Sequence, residues 1–558
     1  MTHLPRLLIQ YRQYLLLLLP VIIVYGCGWG IPLMEVDAVQ YANISRDMAH
    51  TGSYLEVYDS GADYLDKPPM LFWLSALSIK LLGVSAFAYR LPSFCFALIA
   101  LYSCYRLCRM YYNSSIAWMS TLVLATSQAL FLVNHDVRTD TMLMGWVTLS
   151  LWQLAAWYQS GKWHNFLLAT LAIAGGIMTK GPIALMIPVF AFVPHFLLRR
   201  QWRNLFRWEY LLMLVLIALL LTPVLVGLYR QFDLHPEKMM YGQRGISGVR
   251  FFLWTQSFGR ITGESTWHEF SSFSFLFENM LWSFMPWILF FIPALISAIG
   301  GLVRRRFRLQ DHEEAISTAG FVISYCALAS SQAQLPHYIF VVFPLAAIIT
   351  GRWLYTVATT LPRLARGLWI VHLVIFILLW LLLIVLLYYS FPGIDKLKAG
   401  ICLLAALSAC VLLYRSTRGA APLLRLCALN AAGLNLLVNL FLYPALLQYQ
   451  PSVPVSAWLK KEGIRMSDFY TCQFEENRSL SFSNDYTVNT IATPLQLPMG
   501  AYCLVNAPLM DSLPKDGFRV AYQGESMHIT MLTLPFLNPA TRAGETSRYY
   551  IIYRNVTF

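Results

Sequence analysis

The stretch Tyr14–Pro32, YLLLLLPVIIVYGCGWGIP, followed at once by Leu33-Met34-Glu35-Val36-Asp37-Ala38-Val39-Gln40-Tyr41, decides the fold. Nineteen residues without a charge, at about 1.5 Å each, cover nearly the ~30 Å of a hydrocarbon core. The carboxylates of the next segment fall at the boundary of that core. Charge there is costly unless it is solvated, paired or used. Some thirty residues on, Tyr64-Leu65-Asp66-Lys67-Pro68-Pro69 sets further charges at the same kind of boundary.

The rest of the chain repeats the theme. Of 558 residues, 58% are hydrophobic and 12% charged, and the mean hydropathy is +0.55; soluble domains carry roughly 25% charged residues. Uncharged runs of spanning length recur along most of the chain. The first has no small-residue cleavage site and many runs follow it, so it is expected to be a retained anchor. The net charge of +13 is no nucleic-acid footprint, because the basic residues cluster in short loops, as the positive-inside bias produces.

Those clusters are Arg6/Arg12, Arg106/Arg109, Lys162, Arg199 to Arg207, Arg304 to Arg308, Arg352 to Arg366 and Arg415 to Arg425. Placing all of them in the cytoplasm predicts thirteen spans: 14–32, 91–109, 114–133, 141–158, 164–180, 182–198, 209–229, 278–302, 315–331, 335–351, 367–390, 397–414 and 421–446. The N-terminus is then inside and the C-terminus outside. The apolar stretch 70–83 is too short to span and follows Pro68-Pro69; it reads as an amphipathic helix on the outer surface. The expected fold is therefore an α-helical polytopic membrane protein. It divides into a transmembrane domain (1–446), with interfacial helices in 33–90, and a small extracytoplasmic α/β domain (447–558). In that domain a short helix ends at Glu462-Gly463, and Tyr470–Phe474, Tyr502–Asn506 and Ile529–Phe536 read as strands. Cys472 and Cys503 either pair or sit in its core; the other cysteines lie in or beside apolar runs, and Cys104 with Cys108 lacks further metal ligands.

Seven motifs fall on the outer side in this topology. They are Asp37-Ala38-Val39-Gln40-Tyr41-Ala42-Asn43-Ile44-Ser45-Arg46-Asp47-Met48, Asp66-Lys67-Pro68-Pro69, Arg90-Leu91-Pro92-Ser93, Arg138-Thr139-Asp140, Met178-Thr179-Lys180-Gly181, Trp267-His268-Glu269 and Gln334-Leu335-Pro336-His337-Tyr338. In this order they resemble the GT-C glycosyltransferases of the protein O-mannosyltransferase clan, and within it the bacterial 4-amino-4-deoxy-L-arabinose lipid A transferases. The aminoarabinose members carry Glu and Arg where this chain has Ala38 and Gln40, and Glu where it has Asp66. The resemblance implies a GT-C fold in the bacterial inner membrane with a periplasmic active site. It also implies transfer of a sugar from a polyprenyl-phosphate donor to a lipid or glycolipid acceptor such as lipid A.

Within that resemblance each residue has a role and a plainer alternative. Asp37 and Asp140 are the candidate catalytic carboxylates; either can instead cap the helix it precedes. Lys67, Lys180 and Tyr338 are the donor-phosphate ligands, because charge grows on the leaving phosphate and fixed cations stabilise it. The alternatives are snorkelling for the lysines and the aromatic belt for Tyr338. Asp66, His337 and Arg260 are expected to bind substrate, with Arg260 and Arg244 in a long outer loop where a solvated charge is the alternative. His268 and Asp66 match positions that hold a divalent ion, zinc, in the aminoarabinose enzymes, although two ligands do not make a site. Two other functions fit the same composition. One is transfer to protein Ser/Thr. The other is a non-enzymatic lipid or polysaccharide transporter, disfavoured because transporters gather polar groups mid-span, often in repeated halves, and no inverted repeat is apparent.

The topology has a direct test. A C-terminal alkaline phosphatase fusion is expected to be active and a C-terminal green fluorescent protein fusion dark; the opposite pattern places the C-terminal domain in the cytoplasm.

Overall fold

The computed structural model describes residues 3–264, 272–310, 313–474, 477–513 and 517–555. Helices stand at every expected span. The first ten are α1 (His3–Cys27), α2 (Asp37–Thr51), α3 (Met70–Leu82), α4 (Ala86–Tyr111), α5 (Ser114–Ala125), α6 (Gln128–Val133), α7 (Thr139–Ser160), α8 (Trp163–Lys180), α9 (Ile183–Leu198) and α10 (Glu209–Leu228). Beyond them run Phe275–Ser283, Ile288–Arg304, Ile316–Ala329, Phe343–Thr360, Pro362–Val385, Lys396–Ser416 and Pro422–Leu437. Among the described residues, seven helical stretches are long and apolar enough to cross a membrane, by length and composition. From 370 to 385 the exposed residues of the helix Pro362–Val385 are all Leu, Ile or Val, and between its charged ends Lys396–Ser416 exposes Ile401, Leu404, Val411 and Leu412 beside small Ala and Ser residues. Only a hydrocarbon surrounding accepts so large an apolar surface.

Two expected spans are broken, and each break completes the other. The 114–133 segment turns between α5 and α6, and the 278–302 segment turns around Met285-Pro286. Gln128 N–H donates to the Met285 carbonyl at 2.9 Å, and the Trp287 indole donates to Thr126 Oγ1 at 3.0 Å. Backbone groups freed by a break in an apolar setting must find partners, and here they find one another. Elsewhere glycine allows helices to touch. A Cβ at Gly351 would collide with Ser120 on α5, so no larger residue preserves that crossing.

One set of helix ends converges on a buried guanidinium. Arg90, in the first turns of α4, is fully buried. It donates to the carbonyl oxygens of His135 (2.9 Å), Trp29 (2.8 Å), Ile31 (2.6 Å) and Pro32 (3.4 Å). It thus joins the segment after α1 to the loop after α6. α2 and α3 rest on this platform. α3 has 13 residues, about 20 Å of helix, too short to span and packed between α2 and α4.

The C-terminal region docks on α2. Its sheet has five strands in the order Asn489–Ile491, Phe469–Cys472, Tyr502–Asn506, Ser547–Arg554, Phe518–Ser526. The first three are parallel neighbours and the last two join antiparallel. The expected strand Ile529–Phe536 is absent; Pro535 lies in a short helix, Leu534–Leu537. The strands at 518–526 and 547–554 take its place. Their charged and polar residues break up the apolar signal, because one face of each is solvated. The Cys472 and Cys503 thiols are free and buried, filling the sheet core rather than bridging it. Arg46 donates to the Ser481 carbonyl at 2.6 Å, Asn43 to that of Arg478 at 2.8 Å, and Gln450 to that of Leu33 at 2.9 Å.

Arg90→Leu is expected to strand several buried carbonyls at about 1–3 kcal/mol each, lowering detergent thermal stability by several degrees or abolishing expression. Near wild-type melting of this variant would remove Arg90 from its central role.

Candidate active site

Each candidate residue sits at a helix end or in a turn that aims it to one place. Lys180 is the last residue of α8, released by Gly181 at φ 86°. A cation there is also favoured by the negative end of the helix dipole. Asp140 lies in the first turn of α7. Lys180 Nζ donates to Asp140 Oδ1 at 2.5 Å, and His337 Nε2 lies 3.6 Å from Asp140 Oδ2. The carboxylate is 1% exposed and faces these groups, which argues against a capping role. Lys180 Nζ also stands 3.8 Å from the centre of the Tyr338 ring, and the Tyr338 hydroxyl accepts from Arg260 Nη1 at 2.7 Å.

These groups meet at a cavity of about 140 Å³. Lys67, Asp140, Lys180, Arg260 and Tyr338 supply its polar end, while α9 and the helix Ile316–Ala329 supply apolar wall through residues such as Met186, Phe190 and Leu328. Three cations thus share one end with a single carboxylate. Leading from that end is a surface of hydrocarbon character. The arrangement suits an anion attached to a long apolar tail.

Asp37 lies beside this cavity and does not line it. It opens α2 and is partly exposed, and its Oδ2 is bonded to Arg138 Nη1. Arg138 also holds Asp136 at 3.0 Å. Burial disfavours the Arg138 charge, but Asp136 and Asp37 outweigh it and raise its pKa. Arg138 thus stays a cation, oriented by one carboxylate and orienting the other. The first residue of α2 therefore turns its side chain to Arg138, not to the helix N–H groups. The sequence places Arg138 near Asp140 without revealing its bond to Asp37.

Asp66 departs from expectation. It accepts from the Tyr241 hydroxyl, whose pKa is raised by burial and then by this neighbouring charge, and it does not line the cavity. His268 lies outside the described residues, as do Trp267 and Glu269. Among the described residues no cluster of three or more His, Cys, Asp or Glu could hold a metal ion. Asp66 is engaged by a tyrosine, and two ligands alone would not make a zinc site. Arg244 is exposed on a short hairpin strand, Gln243–Arg244, and does not line the cavity. Gln40, where aminoarabinose members have Arg, donates to Asp59 at 2.7 Å, and Arg478 reaches the same oxygen at 2.7 Å. Gln256 and Ser257, which also line the cavity, carry no signal in the sequence.

The fold and this cluster define a polytopic membrane protein with a buried, cation-rich cavity at one end of its helices. Residues 66–226 match the family described as dolichyl-phosphate-mannose-protein mannosyltransferase. The undecaprenyl phosphate-alpha-4-amino-4-deoxy-L-arabinose arabinosyl transferase 2 of Proteus mirabilis (strain HI4320) is 28% identical over 55% of this chain and 52% of its own length. The corresponding transferase of Pseudomonas aeruginosa (strain UCBPP-PA14) is 26% identical over 59% and 58%. The matches thus span little more than half the length of these curated relatives. In fold the likeness is end to end. ArnT from Cupriavidus metallidurans bound to undecaprenyl phosphate superposes with a TM-score of 0.70 at 16% identity, over 97% of this chain and 98% of that one.

Breaking the buried pair from one side should cost more than replacing both partners. Lys180→Met is expected to destabilise by about 3–5 kcal/mol by leaving Asp140 uncompensated, and Lys180→Met/Asp140→Leu by less. Additive losses in detergent unfolding would show that the two side chains do not compensate each other.

Proposed function

We propose that this protein is an inverting glycosyltransferase. It moves a sugar from a polyprenyl-phosphate donor to an acceptor at the outer surface of the bacterial inner membrane, lipid A or a related envelope glycolipid. The observation that carries the reading is the cavity end where Lys67, Lys180 and Arg260 surround an otherwise apolar groove. The similarity to undecaprenyl phosphate-aminoarabinose arabinosyl transferases supports the donor class.

In this mechanism the donor's phosphate enters the cationic end and its polyprenyl chain follows the apolar wall. Lys67, Lys180 and Arg260 stabilise the charge that grows on the phosphate as the glycosidic bond breaks. Arg260 fixes the Tyr338 hydroxyl by donating to it, which leaves the phenolic proton free to meet a phosphate oxygen. Asp140 holds Lys180 in place before the donor arrives. Asp37, aimed by Arg138, faces the acceptor side. There it takes the proton from an attacking hydroxyl, or positions an acceptor phosphate that is already ionised. The active site and the C-terminal domain, residues 447–558, are on the periplasmic side in this reading. The family match over 66–226 keeps transfer to a protein hydroxyl as the second reading, with the same donor chemistry and the same residues.

Asp37→Asn is expected to leave expression and donor binding intact and to cut transfer below about 1%, since general-base catalysis contributes about 10²–10⁴-fold. Mass spectrometry of lipid A and envelope glycoproteins, with and without the protein, reads which acceptor gains mass. A well-expressed Asp37→Asn protein with near-normal transfer would overturn the assignment.

A further inference from the structure

A second cavity lies at the far end of the bundle. The helix Phe343–Thr360 follows the short turn Pro336–Val342 that carries Tyr338 at the candidate active site. It has 18 residues, about 27 Å of helix. At its other end a crevice of about 390 Å³ opens between that helix, α5, Pro362–Val385, Lys396–Ser416 and Pro422–Leu437. Its walls are Met, Leu, Val, Ala and Pro, interrupted by Arg366, Trp369 and Tyr414.

The polar groups sit together and are under-used. Trp369 Nε1 donates to the Tyr414 hydroxyl oxygen at 3.2 Å, leaving the phenolic proton to donate elsewhere. Arg425 stacks on the Tyr414 ring at 4.3 Å and donates to its carbonyl at 2.6 Å. Arg425 is 7% exposed, yet its buried Nε has no partner. Among the described residues no carboxylate pairs with these cations. From residue 315 to residue 461 the sequence contains one acidic residue, Asp395, which lies at the opposite end of the helix Lys396–Ser416 from Tyr414 and pairs with Lys398 at 3.3 Å. Other basic residues of the chain do have acid partners, as Arg207 has Glu209 and Arg305 has Glu313. Arg363, Arg366, Arg415, Arg418 and Arg425 have none among the described residues.

We infer that this crevice binds an anionic phospholipid, its acyl chain in the apolar cleft and its phosphate at Arg366 and the Tyr414 hydroxyl, with Arg425, stacked on the Tyr414 ring, adding positive charge beside it. An apolar cleft open to hydrocarbon takes a chain in preference to water, and basic pockets between spans attract anionic headgroups. The lipid ties together the last three spans, which otherwise meet through few polar contacts. The inference concerns binding alone and stands or falls apart from the transfer reaction.

The test is native mass spectrometry of the full-length protein in mild detergent. The probes are phosphatidylglycerol, cardiolipin, phosphatidylethanolamine and inorganic phosphate. Wild-type protein is expected to retain phosphatidylglycerol or cardiolipin over phosphatidylethanolamine, with no displacement by equimolar phosphate. Arg366→Ala/Arg425→Ala is expected to weaken the anionic-lipid adduct about tenfold, and Arg203→Ala/Arg304→Ala, at basic residues outside the crevice, to leave it unchanged. If the double variant does not fold, Arg366→Ala alone, at an exposed position, should still weaken it about threefold. Equal retention by the crevice variants, equal retention of phosphatidylethanolamine, or displacement by inorganic phosphate would each overturn the proposal.

Discussion

Arg90 holds the site's two halves in register without taking part in its chemistry. All four of its hydrogen-bond acceptors are backbone carbonyls. Two chain segments far apart in sequence end on it: the turn after α1 that leads to Asp37, and the turn after α6 that leads to Arg138. Burying a guanidinium is costly, and the cost is offset only if its donors are filled by groups that would themselves be stranded. The turn carbonyls are such groups, since each leaves a helix at an apolar boundary. The clamp thereby converts two backbone requirements into one fixed distance, and the Asp37–Arg138 pair is set by that distance.

The C-terminal region completes the frame from outside. α2 meets the docked segment through Asn43 and Arg46, and Gln450 bonds both the Leu33 carbonyl and the Glu35 amide. The helix that begins with the candidate base is therefore held at its start, its middle and its flank, by groups whose exchange for water would leave buried donors unfilled. Preorganisation of that kind is what a proton acceptor on an otherwise short, surface-lying helix needs.

Much of this is legible in the sequence, and the reason is solvation. Charges at the ends of apolar spans are costly unless solvated, paired or used, so Asp37, Lys67, Asp140 and Lys180 stand out one by one. The helix positions follow from apolar run length and arginine placement. Pairings are not legible. Arg138 with Asp37, Tyr241 with Asp66 and Arg260 with Tyr338 are separated by 101, 175 and 78 residues, and no local pattern encodes such distances. Asp66, directly before Lys67, has the sequence context of a substrate or metal ligand. Its carboxylate instead answers a tyrosine delivered by a distant loop. The strand expected at 529–536 fails for the converse reason. An apolar run signals burial without saying which structure does the burying, and Pro535, which cannot donate to a strand ladder, turns this one into a short helix.

The charge count at the cavity bears on catalysis more than on binding. Lys67, Lys180 and Arg260 against Asp140 leave a surplus of two positive charges at the polar end. In the proposed reaction the donor's phosphate is a diester and carries one negative charge. The leaving polyprenyl phosphate is a monoester whose second ionisation lies near pH ~6, so it approaches two negative charges at neutral pH. The surplus therefore matches the product side of the bond cleavage better than the ground state. Stabilisation that grows along the reaction coordinate lowers the barrier, whereas equal stabilisation of both states would only tighten binding. Asp140 is what keeps the balance there: without it the end would hold three uncompensated cations and grip the donor before any bond had broken. In the proposed reaction the buried pair of Asp140 and Lys180 would set how much of the cavity's positive charge is held back for the transition state.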